Sequence, residues 1–273
     1  MLLSYYDIKL NVEFFSEFNP KNKSILFLHG FTGCANDWKE VAEKIGPEFN
    51  KIALDLIGHG KSDSPGVVKF YKSDESNEQI LFILNHFEID KLILCGYSMG
   101  GRTALRFAST HPEKISTLIL ESTSAGIENE AERKSRIKSD ETLANFIESH
   151  SIEEFVEKWM GLEIFKSQKA LPKEKIQKLK NAKSKNLKIG LANSLRGFGT
   201  GVMPYLGNEL KKMNFPILLI TGELDEKFTI INGDLVKYFK NAEHKIIPDA
   251  GHNVHLEKTI ELVSVIKEFL IQF

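Results

Sequence analysis

The residues with which this 273-residue chain could do chemistry are a serine between two glycines, an aspartate far downstream and a histidine near the chain's end. Gly96-Tyr97-Ser98-Met99-Gly100-Gly101 follows the apolar run Leu92-Ile93-Leu94-Cys95 and opens Arg102-Thr103-Ala104-Leu105-Arg106-Phe107-Ala108, whose apolar positions recur at helical spacing. Strand, sharp turn and helix in that order make Gly-x-Ser-x-Gly a nucleophile elbow. The glycines permit a strained turn that lifts the hydroxyl above a sheet edge, and the helix N-terminus favours negative charge there. Taken alone, the motif also describes an ordinary Gly/Ser turn. A serine of this kind works only if a histidine takes its proton and an acid orients the histidine. Asp225 lies in the loop after Ile217-Leu218-Leu219-Ile220-Thr221, and His252 lies in Asp249-Ala250-Gly251-His252-Asn253, so the order is serine, acid, histidine. Glu121, Glu223 and Glu226 compete for the acid's place. His29, His59 and His255 compete for the base's, and read instead as packing or hydrogen-bonding residues.

Charge developing beside the serine needs donors. His29-Gly30-Phe31, just after the apolar run at 24–28, points to an oxyanion hole built from the backbone N–H groups of Phe31 and Met99. Arg102 stands four residues after Ser98 and shares its helix face. With Arg133, Arg136 and the aromatic Trp159 further on, it suggests a substrate bearing several carboxylates, which guanidinium groups bind bidentately; the alternative is that these arginines face solvent. Gly60-Lys61-Ser62 is not a phosphate loop, because the earlier glycine that motif requires falls at Asp55. Gly197-x-Gly199-x-Gly201 has no strand before it, so it is not a dinucleotide fingerprint.

The elements that must position these residues alternate. Residues 4–18 read as one or two antiparallel strands, and 24–28, 51–54, 92–95 and 115–120 as buried strands separated by helices at 38–45, 74–87 and 102–108, with Asn36 or Asp37 capping the first. Between 122 and 205 the sequence shows only helical stretches (128–149, 152–160, 172–183, 187–196), and strand character returns at 217–221 and 244–247, with helices at 229–239 and 255–271. The expected fold is α/β, a mostly parallel sheet flanked by helices, with an all-helical cap inserted after the sixth strand. The core then comprises residues 1–121 and 206–273, with the cap at 122–205 over the sheet's carboxyl edge. Within the cap, 166–188 carries nine lysines against the single acid Glu174; this is either a lure for a polyanion or a solvated helix surface.

Composition excludes much else. With 36 basic and 37 acidic side chains the net charge is −1, so nothing draws the whole molecule to nucleic acid or an anionic membrane. Cys34 and Cys95 form no disulfide framework and no metal pair, and read as small buried hydrophobes. The N-terminus has no secretory pattern and no apolar run is long enough to span a bilayer, which predicts a cytoplasmic protein, a monomer or weak homo-oligomer with no membrane insertion.

With these residues in place the chain resembles the α/β-hydrolase superfamily and, within it, the 2-succinyl-6-hydroxy-2,4-cyclohexadiene-1-carboxylate synthases of menaquinone biosynthesis. The resemblance runs from Leu28-His29-Gly30-Phe31-Thr32-Gly33 to Gly251-His252-Asn253-Val254-His255. Its more specific parts are the elbow with Arg102, Glu132-Arg133-Lys134-Ser135-Arg136, Leu195-Arg196-Gly197-Phe198-Gly199-Thr200-Gly201 and Gly222-Glu223-Leu224-Asp225-Glu226-Lys227-Phe228. It implies a Ser98–Asp225–His252 triad, substrate contacts from Tyr97, Arg102, Arg136 and Trp159, and a lyase step that removes pyruvate without metal or cofactor. A carboxylesterase or carbon–carbon hydrolase would use the same triad through an acyl-enzyme.

Overall fold

The computed structural model describes residues 1–273. β1 (Leu2–Tyr5) and β2 (Ile8–Phe14) form an antiparallel hairpin. Then come β3 (Lys23–Leu28), α1 (Lys39–Lys44), β4 (Phe49–Leu54), α2 (Ser73–His86), β5 (Leu92–Tyr97), α3 (Met99–Thr110) and β6 (Ile115–Glu121). Four helices follow without a strand: α4 (Glu130–Ser149), α5 (Ile152–Met160), α6 (Lys173–Lys183) and α7 (Lys188–Phe198). The chain closes with α8 (Gly207–Leu210), β7 (Ile217–Gly222), α9 (Glu226–Leu235), β8 (Ala242–Ile247), α10 (Val254–Glu257) and α11 (Thr259–Leu270).

The eight strands form one sheet in the order β1-β2-β4-β3-β5-β6-β7-β8. β3 to β8 all run parallel, and β2 pairs antiparallel with β4. Parallel pairing puts all six carboxyl ends on one edge, the edge where loops can converge on a ligand. The apolar runs are continuous because the sheet is covered on both faces. Alternate side chains of one strand go to opposite cores: Leu26, Leu94, Leu118 and Leu219 lie in one cluster with Leu105 and Phe107 of α3, while Ile25, Ile93, Ile119 and Leu218 lie in the other with Val41 of α1 and Val263 and Ile266 of α11.

The inserted helices have a small core of their own, made by Ala144 and Ile147 of α4, Phe155 and Val156 of α5, and Leu191, Ala192 and Leu195 of α7. No helix is long and apolar enough to cross a membrane.

Local boundaries differ from the sequence expectation where a side chain redirects the backbone. Asp37 does not cap α1; its carboxylate accepts the Cys34 N–H at 3.0 Å and winds Ala35–Trp38 into a 3-10 turn before α1 starts. The last helix is two, because Lys258 leaves helical conformation at φ −138°, ψ 56°. Glu163–Ala170 is a 3-10 segment that the irregular apolar spacing there did not announce. Cys95 is buried as expected, but Cys34 is only partly so.

Phe155 is fully buried in a cluster of only seven buried residues. Phe155→Ala is expected to cost about 3 kcal/mol, since a large cavity in so small a core has few neighbours to collapse into it. Hydrogen exchange should rise first in α4, α5 and α7 with β3 to β7 still protected. Uniform loss of protection across sheet and inserted helices would contradict a separate core.

Candidate active site

β5 delivers Ser98 to the carboxyl edge and then turns sharply. Ser98 has φ 50°, ψ −107°, a conformation that costs a non-glycine residue free energy and persists only when its surroundings enforce it. Here the Ser98 N–H donates to the Glu121 carbonyl at 2.8 Å, and its carbonyl accepts from the Arg102 N–H at 3.0 Å and the Thr123 hydroxyl at 2.9 Å. A Cβ on Gly96 would stand 2.4 Å from the Gly100 carbonyl oxygen, and one on Gly100 2.3 Å from that of Leu28, so both flanking positions must be glycine for β5, α3 and β3 to close up.

The three residues expected to act together do meet. His252 Nε2 is 3.1 Å from Ser98 Oγ, and His252 Nδ1 is 2.6 Å from Asp225 Oδ2. Asp225 also caps α9, accepting weakly from the Phe228 N–H at 3.4 Å, which points its second oxygen at the ring. The two loops are joined by Leu224 N–H donating to the Ala250 carbonyl at 2.8 Å. Asp225 and His252 are buried, packed by Tyr97, Phe165 and Phe228.

The competitors fall elsewhere. Glu223 and Glu226 are exposed. Glu121 accepts from both the backbone N–H and the ring Nδ1 of His255, a second buried acid–histidine pair that stacks on Trp38 and meets the edge of Tyr97. His29 takes the Leu56 N–H on Nε2 at 3.0 Å, so its proton sits on Nδ1 and is donated to the Gly30 carbonyl at 2.7 Å. His59 lies beside it with ring centroids 5.1 Å apart. Burial holds both rings neutral, His29 below the usual range and His59 down to about 3.

Ser98, Met99 and His252 open on a cavity of about 1240 Å³ that also contains Phe31, Tyr97, Arg102, Arg136, Asp140 and Trp159. The N–H of Met99 heads α3 and has no intrahelical acceptor, and that of Phe31 makes no backbone bond. A smaller cavity of about 470 Å³ beyond Phe31, Tyr97 and Trp159 contains neither Ser98 nor His252. Tyr97 is buried, with its phenol raised well above the usual range, by burial first and by Glu121 next, so it stays protonated. Trp159 presents a buried indole N–H without a partner and meets the Phe31 ring edge-on at 5.1 Å.

The arginines separate. Arg102 donates to the Phe198 carbonyl at 3.2 Å and lies over that ring, with its Nε buried and unpaired. Its guanidinium is lowered to about 10 by burial, then by Arg136, and remains cationic at neutral pH. Arg136 donates through Nε to Asp140 at 2.8 Å. Arg133 is exposed, donates to the Gly201 carbonyl at 3.1 Å and is not among the residues that line the cavity. Asp140 is the residue the sequence reading missed. The signal was available, since Arg136 and Asp140 are four apart on one helix.

The lysine-rich stretch is mostly solvated surface, and α6 has no buried residue by overall exposure. Lys183 reaches inward: it donates to the Thr32 hydroxyl at 2.9 Å, and Asn186 donates to the Thr32 carbonyl at 3.0 Å, so this segment grips the loop that carries Phe31, while Lys175 and Lys188 bond the Leu256 and His150 carbonyls.

A family model described as the alpha/beta hydrolase fold matches residues 23–259. A Bacillus subtilis protein provisionally named 2-succinyl-6-hydroxy-2,4-cyclohexadiene-1-carboxylate synthase is 39% identical over 91% of this chain and 90% of its own length. An Enterobacter protein with the same name is 31% identical over 90% of this chain and 91% of its own. The structure of MenH from S. aureus superimposes with a TM-score of 0.91 at 34% identity, covering 96% of this chain and 98% of that one.

The two neutral histidines beneath the Phe31 loop set an acid limit. Unfolded histidines take up protons near pH 6.5, whereas these folded ones do so only at lower pH, so stability falls as pH drops below that value, by about 1.4 kcal/mol per pH unit per ring at most. Melting temperatures measured from about pH 7.5 down to about pH 4.5 should fall less steeply for His59→Gln than for the wild type. Equal slopes would mean that His59 is protonated in the folded chain.

Proposed function

Since the chain belongs to the alpha/beta hydrolase fold family and, within it, to the 2-succinyl-6-hydroxy-2,4-cyclohexadiene-1-carboxylate synthases, we propose that Ser98, His252 and Asp225 carry out the elimination of pyruvate that makes that compound in menaquinone biosynthesis. The substrate is 2-succinyl-5-enolpyruvyl-6-hydroxy-3-cyclohexene-1-carboxylate, a small polycarboxylate, and the cytoplasm is the compartment we assign. The ring proton at the carbon bearing the succinyl group is acidified by the adjacent ketone. Ser98 Oγ, its own proton drawn to His252 Nε2, takes that proton, while Asp225 holds the ring's other nitrogen and stabilises the imidazolium. Negative charge then develops on the succinyl carbonyl oxygen, where the N–H groups of Phe31 and Met99 would receive it. The electron pair moves through the ring, the carbon–oxygen bond breaks, and the enolate of pyruvate leaves, taking up the proton held by His252 to become pyruvate and returning the imidazole to its neutral form. The side chains supply every proton transfer, so no cofactor enters the scheme.

The observation that carries this reading is that the cavity holding Ser98 and His252 also holds two guanidinium groups, from α3 and α4. A simple ester needs no such pair; a substrate with several carboxylates does, and fixing those carboxylates aims the ring proton at Ser98. Tyr97 and Trp159 supply a phenol and an indole N–H on the same walls, and residues 122–205 act as the cap that closes the chamber.

Pyruvate release from the enolpyruvyl substrate, measured beside hydrolysis of a short activated ester, tests the reading. Ser98→Ala should lower kcat for pyruvate release by about 10³-fold with KM little changed, and Arg102→Ala should raise KM by about tenfold. Rapid ester cleavage without pyruvate release would return the chain to the hydrolases that use the same triad.

A further inference from the structure

Four carboxylates line the cavity, Glu128, Glu132, Asp140 and Asp234, and all but Asp140 are exposed. Asp140 is 4% exposed. A buried carboxylate in a chamber meant for a polycarboxylate works against binding unless it does something for the cations around it. Its Oδ1 accepts from Arg136 Nε at 2.8 Å, and its Oδ2 is buried without a partner. The chain leaving α7 shields that oxygen: a Cβ on Gly199 would come within 2.5 Å of it. Arg102, across the chamber on α3, feels both Arg136 and Asp140, the first lowering and the second raising its affinity for a proton. Burial raises the Asp140 carboxyl above the usual range, while Arg136 and Arg102 pull it back down.

The geometry of the Arg136 contact is specific. A guanidinium can meet a carboxylate side-on, through Nε and one terminal nitrogen, or end-on, through both terminal nitrogens. Asp140 engages Nε, and neither terminal nitrogen of Arg136 has a partner in the protein. We infer that Asp140 is a positioning residue: it holds Arg136 by Nε so that the two terminal nitrogens form an end-on fork for one substrate carboxylate, and its charge lets Arg102 and Arg136 share the chamber. The assignment rests on the reading that these arginines receive the substrate's carboxylates. It makes Arg136 a group that serves two acceptors at once, which no lysine can do with the same geometry.

Steady-state pyruvate release by Asp140→Ala, Asp140→Asn, Arg136→Ala, Arg136→Lys and the Asp140→Ala/Arg136→Ala double variant, with melting temperatures, tests this. Asp140→Ala is expected to raise KM by about tenfold with kcat changed less than about threefold, and Asp140→Asn, which keeps an oxygen for Nε but loses the charge, to recover only part of that loss. The double variant should be no worse than Arg136→Ala alone, because the two residues act as one unit. An unchanged or lowered KM in Asp140→Ala, or multiplicative effects in the double variant, would overturn the inference. So would a fall in melting temperature and kcat with KM untouched. Should Asp140→Ala fail to fold, Arg136→Lys decides: a KM near that of Arg136→Ala supports the two-acceptor role and a wild-type KM overturns it. If Arg136→Ala itself leaves KM unchanged, the arginine reading falls; if it raises KM and Asp140→Ala does not, only the role of Asp140 falls.

Discussion

The structure depends on one strained residue held from every side. Ser98 sits at positive φ because β5 must stop, reverse and feed α3 within two residues, and its N–H and carbonyl are tied to Glu121, Arg102 and Thr123. A conformation of this kind costs about 1–3 kcal/mol and survives only where neighbouring bonds and packing over-determine it. The glycines at 96 and 100 let the backbones of β3, β5 and α3 come close enough to do so. Once the turn is set, the parallel sheet brings the loops after β3, β7 and β8 to the same edge, and Phe31, Asp225 and His252 arrive from three separate stretches of chain.

Two acid–histidine pairs lie side by side in this protein, and their surroundings give them different work. Glu121 and His255 are closed off between Trp38 and Tyr97, with the carboxylate held by both the ring and the backbone of one residue. That pair braces β6, the strand whose carbonyl holds Ser98, against α10. His252 leaves its second nitrogen facing Ser98 Oγ at the cavity wall, with Asp225 behind it. The same two functional groups are closed off in one place and open on the cavity in the other, according to what the free ring nitrogen meets.

The inserted helices do more than cover the sheet. Lys183 and Asn186 hold Thr32, so the loop presenting the Phe31 N–H is fixed in part by residues more than 150 positions downstream. Arg136 and Trp159 come from α4 and α5, whereas Arg102 comes from α3 beneath them. The chamber is therefore assembled from both parts, and the charge within it is balanced across their junction by Asp140.

Much of this was legible in the amino-acid sequence. Continuous apolar runs alternating with helical periodicity specify a covered parallel sheet, because only strands buried on both faces lose the polar side of their alternation. Glycines spaced about Ser98 specify the elbow, because no other residue allows the backbones to meet. Ser98, Asp225 and His252 follow in order at strand ends, so their convergence was readable from the topology alone. What the sequence could not decide is which way side chains on an amphipathic surface turn. Arg133 and Arg136 are three apart on α4, yet one is tied to the Gly201 carbonyl and the other to Asp140 at the cavity wall. The partnering of Glu121 with His255 and the reach of Lys183 to Thr32 are likewise contacts between distant positions. Their energies come from burial and from a single competing partner, and both exist only once the chain has folded.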